Sequence, residues 1–146
     1  MANTIANVFS TLADGQVSGV TTSVSNSITI AHASTCLFSA LITDVRGAAY
    51  EPSDISSCSY TITDISAETP TAVTGHNNVS LTVNNVFYSA QPKMYAGEAI
   101  LTNFEFTPSR SSNEPFPTAG KTYRVRIDIT PSSGFCSPLI YDVTTE

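Results

Sequence analysis

Between Lys121 and Thr130 apolar and polar residues alternate without a break: Tyr123, Val125, Ile127 and Ile129 fall on one face, Arg124, Arg126 and Asp128 on the other. A period of two is what a pleated backbone imposes, so this segment predicts a half-buried strand. The same pattern recurs along the chain. Residues 27–31 predict a short strand and residues 36–45 a longer, more apolar, central one. Cys58, Tyr60 and Ile62 face inward on the next, Val79, Leu81 and Val83 alternate again, residues 100–106 turn Phe104 and Phe106 inward, and residues 138–143 close the series. Breakers separate these runs: Gly47 and Pro52 in the loop 46–54, Pro70 and Gly75 on either side of a weak edge segment, a Pro-rich loop 107–120, and Pro131 with Gly134. Seven or eight strands at such intervals predict an all-β, antiparallel β-sandwich over residues 27–146.

Residues 1–26 follow a different pattern and form an N-terminal arm. Ile5, Val8, Phe9 and Leu12 recur at i, i+3, i+4 and i+7, with Thr4 placed as an N-cap and Gly15 as a stop. That spacing predicts a short amphipathic helix, too short to be stable without a surface under its apolar face. The surface belongs either to the chain's own sandwich or to another subunit, and both readings stand open. If it belongs to another subunit, these four residues are the partner-binding set.

Composition narrows the classes of function. The 146 residues include 41% hydrophobic but only 12% charged residues, and the net charge is −6 with six basic residues in all. The charged share is about half the usual ~25%, and Ser with Thr make up roughly a quarter, so the surface is hydroxyl-rich rather than ionic. Such a surface suits strands and turns, and it suits packing against neighbours because few charges need desolvating. The balance argues against a nucleic-acid binder, which needs a Lys/Arg stripe. Arg124 and Arg126 are expected to pair across strands with acids such as Glu105. The segment 1–15 has no basic region followed by an apolar run, and no stretch approaches the ~20 apolar residues of a membrane span, so the expectation is a protein made and assembled in the cytoplasm, with no membrane partner.

Candidate chemistry is sparse. His32 and His76 stand about forty residues apart, outside any zinc-ligand spacing, and no nucleophile elbow accompanies the many serines. Cys36, Cys58 and Cys136 are an odd number at wide spacing, read as buried free thiols, with one disulfide as the alternative. Loop acids Asp44, Glu51, Asp54 and Asp64 lack the dense alternation of a calcium loop. The acceptor pattern at Asn78 to Ser80 is read as accidental. Tyr50, Tyr88 and Tyr95 are the residues that would stack on a sugar from loops, although the chain has no Trp. The expectation is no enzyme, no cofactor and no metal.

Five stretches carry a resemblance: LeuIleThrAspValArgGly at 41–47, SerTyrThrIleThrAspIle at 59–65, ValSerLeuThrVal at 79–83, AsnPheGluPheThrPro at 103–108 and TyrArgValArgIleAspIleThrProSerSerGly at 123–134. From about Phe38 to Thr144 the chain resembles the small Ig-like β-sandwich domains of tailed-phage virion proteins; the arm lies outside the likeness. The resemblance implies a structural part of the virion, first a capsid decoration or cement protein, or else a neck or tail component. It implies a homo-oligomer whose partner is the major capsid protein or another virion protein. The rival expectation is a carbohydrate or cell-surface binding module.

Overall fold

The computed structural model describes residues 5–13, 27–44, 46–95, 97–132 and 137–146. Among them the elements run β1 (Ile5–Ala13), β2 (Ser27–Ile30), β3 (Thr35–Thr43), β4 (Ile55–Asp64), β5 (Thr71–Ala72), β6 (Val79–Leu81), a one-turn helix α1 (Val83–Val86), β7 (Phe87–Tyr95), β8 (Glu98–Phe106), β9 (Thr122–Pro131) and β10 (Ser137–Thr145). The protein is all-β. One sheet has the order β1-β3-β8-β7; the other runs β2-β10-β9-β4-β5, with β6 also on β4. Most pairings are antiparallel, but β1 pairs parallel with β3 and β2 parallel with β10.

Alternation accounts for the core. Cys36, Phe38, Ala40 and Ile42 of β3 are buried, as are Cys58, Tyr60 and Ile62 of β4, Phe104 and Phe106 of β8, Tyr123, Val125, Ile127 and Ile129 of β9, and Leu139, Tyr141 and Val143 of β10. They form a single hydrophobic cluster. Aromatic pairs join the two sheets across it: Phe38 meets Tyr141 at 4.5 Å between ring centroids, and Tyr60 meets Phe106 at 4.6 Å. These side chains leave water on both sides of the same layer, which is what drives the sheets together. The nearly continuous apolar run of β3 reflects its place between β1 and β8, where even Ser39 is fully buried.

Three expectations are corrected. The segment expected to be an amphipathic helix forms strand β1, paired with β3 over nine residues. Its Ile, Val, Phe and Thr are as much at home in a strand as in a helix, and a long-range partner decides between the two. Residues 87–95 form β7, where no strand was expected. β7 is an edge strand, so only its ends, Phe87 and Tyr95, are buried and no alternation marks it; Pro92 sits where an edge strand tolerates it. Val83 leaves the alternation of β6 for the helical turn α1.

Cys36 and Cys58 are buried and not in disulfides, Cys58 where its phase with Tyr60 and Ile62 placed it; Cys136 lies outside the described residues. Burial pushes the Cys36 thiol up to about 12, because the thiolate would lie in an apolar layer. At neutral pH Cys36 should therefore resist alkylation in the native protein and react once urea unfolds it. Peptide mass mapping after brief iodoacetamide treatment checks this; rapid native labelling would mean that β3 opens.

Candidate interaction surfaces

Two surfaces stand out, and the first is the rim made by β1. The register pairs Ile5 with Thr35, Val8 with Phe38, Phe9 with Ser39 and Leu12 with Ile42. The four expected docking residues thus lie in a strand paired along β3 rather than in a helix.

The second surface is the β7–β8 hairpin. Pro92 is opposite Leu101 and Met94 opposite Ala99, and all four are exposed on one face. Met94 is 67% and Leu101 46% exposed, two of the three large apolar side chains left open among the described residues. A polar network ties the two strands of the hairpin together. Tyr95 donates to the Glu105 carboxylate and lies 2.9 Å from the Thr102 hydroxyl, which also bonds Tyr88. Lys93 pairs with Glu105 at 3.1 Å and holds its ammonium 4.1 Å above the Tyr88 ring. Burial first, then the bond to Glu105, raises the Tyr95 pKa well above the ordinary tyrosine range, so the phenol remains a donor. Sequence reasoning placed Tyr88 and Tyr95 in loops as sugar-stacking candidates. Both lie in β7, Tyr95 is only 6% exposed, and Lys93 covers the Tyr88 ring; Tyr50 packs against the core. The three do not form an open aromatic platform.

The remaining candidates have structural work. His76 is buried between the Tyr60 hydroxyl at 2.6 Å and the Asn113 carbonyl at 2.9 Å. That contact seats the Pro-rich loop, whose Phe116 is fully buried against Tyr123. Gly75 explains the close fit: at φ +82° it takes a left-handed backbone, and a Cβ there would collide with the Asn113 side chain. His32 Nδ1 lies 2.9 Å from the Glu146 carbonyl oxygen. Asp44 accepts the amides of Arg46 and Ala48, Asp54 that of Glu51, and Asp64 that of Ser66, so each closes a local turn. Glu51 instead accepts the Ser89 hydroxyl. The four are not gathered around a common point, and among the described residues no cluster of metal-ligating side chains occurs.

Arg124 meets Asp142 across β9 and β10 at 2.9 Å, the cross-strand pairing expected. Arg126 pairs with Asp128 two residues along its own strand, and Glu105 is taken by Lys93 rather than by an arginine. No family model matches the chain, and no curated protein is detectably similar to it.

Proposed function

We propose that the chain is a non-enzymatic structural protein of a tailed-phage virion, a decoration or cement protein with an Ig-like sandwich, which assembles through its N-terminal arm. Strand pairing is the observation that carries the Ig-like part. Lettered B to G, strands β3, β4, β7, β8, β9 and β10 pair as B-E-D in one sheet and G-F-C in the other. Tyr123, at the start of β9, returns its hydroxyl to the backbone five residues upstream, accepting from the Thr118 amide at 3.0 Å and donating to the Thr118 carbonyl at 3.4 Å. Such a tyrosine corner is a hallmark of Ig-type sandwiches. Two departures are that neither Cys36 nor Cys58 forms a disulfide, so none bridges the sheets through them, and that the chain has no Trp.

The virion part rests on the resemblance of five strand segments, on the low charge, on the uncharged sequence of β1, and on the apolar face of the β7–β8 hairpin. In that setting the body stands on the shell, the arm reaches neighbours, and weak contacts repeated over many copies add through effective concentration. The rival reading, a sugar-binding module, needs an aromatic platform, and the tyrosines nominated for it are buried, packed against the core or covered by Lys93.

The test is particle association. Purified protein, intact and lacking residues 1–26, is added to phage capsids of the matching host and pelleted through a cushion. Saturable co-sedimentation that disappears with the arm is expected. Binding to a glycan array with no affinity for capsids would replace this reading with the rival one.

A further inference from the structure

The edges of the two sheets are not alike. β7 carries Pro92 and Lys93, β2 is four residues long and β5 only two. Proline, lysine and short length are the usual ways of blocking strand addition. β1 has none of them. It is nine residues long, IleAlaAsnValPheSerThrLeuAla, without a charge or a proline, and its neighbour β3 is uncharged as well. β1 hydrogen-bonds to β3 on one side, and among the described residues no strand pairs with its other side.

We propose that the outer edge of β1 pairs antiparallel with the β1 of a second copy, joining the two four-stranded sheets across a two-fold axis. The proposal rests on the assembly role of the arm and names its partner. Three physical points carry it. An unprotected edge strand is a row of unpaired amides and carbonyls spaced for another strand, and an identical strand meets it residue for residue under two-fold symmetry. Each copy has a net charge of −6, which opposes self-association, yet neither β1 nor β3 adds a charge to this rim. The other long edge, β7, would bring Lys93 against Lys93 and a proline into the ladder. A second copy thus fits here and is disfavoured there.

Light scattering tests the proposal. The full chain should show twice its 15.5 kDa mass at high concentration, and the protein lacking residues 1–26 should show the mass of a single shortened chain. Asn7→Lys with Thr11→Lys places like charges along the joined strands and should halve the mass at low salt, with recovery at high salt as the charges are screened. Circular dichroism checks that the variant remains folded. Hydrogen exchange on the unmodified protein gives a second readout: amide protection over residues 5–13 should rise with protein concentration. A chain that stays monomeric at every concentration, or a dimer that survives both the deletion and the lysines, overturns the proposal. Capsid co-sedimentation is a separate result, so a monomer that still pellets with capsids would reject strand pairing and leave the virion role standing.

Discussion

Replacing Asn103 by Asp, a change of one atom, should cost about 3–5 kcal/mol at neutral pH, a large part of the ~5–15 kcal/mol that a domain of this size has. The β3–β8 ladder pairs Phe38 to Ala40 with Phe106 to Phe104. Just beyond it, the Asn103 side chain acts as a substitute peptide group. Its Oδ1 accepts the Ile42 amide at 2.8 Å, while Nδ2 donates to the Ile42 carbonyl at 2.8 Å and to the Tyr50 carbonyl at 2.9 Å. Asn103 is fully buried, and two carbonyls facing one atom require that atom to be the nitrogen. An aspartate keeps the first bond but points a carboxylate oxygen at two carbonyl oxygens, in a place where an unpaired charge cannot be hydrated.

The pH dependence of that variant has a definite sign. The buried carboxyl would have its folded pKa raised above the ~3.9 of the unfolded chain. Protonated, it can donate to one of the carbonyls, so the defect is smallest in acid and grows as pH rises through the folded pKa. Urea midpoints for the wild type and Asn103→Asp at acidic and neutral pH check this. Equal midpoints at neutral pH would mean that the side-chain bridge between β3 and the loop before Pro52 contributes nothing.

His76→Leu should cost about 2–4 kcal/mol, because it leaves two polar groups without partners at once. The Asn113 carbonyl can only accept, so Nε2 carries the proton and Nδ1 accepts from the Tyr60 hydroxyl. Burial raises the Tyr60 pKa, which keeps that hydroxyl protonated and donating. In His76→Leu both the hydroxyl and the carbonyl lose their bonds. Tyr60→Phe added to His76→Leu removes the orphaned hydroxyl, so the double variant should be more stable than the sum of the single losses by about 1–2 kcal/mol. Strict additivity in the denaturation cycle would show that the two rings stabilise the fold independently. Exchange of amides in the loop 107–120 should quicken in His76→Leu, since that contact ties the loop to β4.

The same elements show why some features were legible in the sequence. β3, β4, β8, β9 and β10 turn one face to the core over a full strand length, so their alternation or apolar density survives in the sequence, and Tyr123, Ile127, Cys58 and Phe104 are buried where their phase placed them. β7 left no trace because only the two ends of this edge strand are buried, so its sequence has no reason to alternate. Asn103 was also silent, for a lone Asn in an apolar strand carries no mark of the backbone it will meet sixty residues away. The docking candidates Ile5, Val8, Phe9 and Leu12 show the sharper limit. Their spacing satisfies a helix, but a parallel partner makes them a strand.

By itself, then, the sequence determined that the chain is all-β, which side chains of the central strands are buried, and where most of the turns fall. These follow from local rules: a period of two, β-branched and aromatic preference, and the backbone limits of Gly and Pro. Only the tertiary structure decided that β1 and β2 run parallel to their partners, that β7 closes one sheet, and that Asn103 and His76 bridge segments far apart in the chain. Those features depend on hydrogen bonds between residues distant in sequence, and a strand's own residues do not encode which partner will satisfy them.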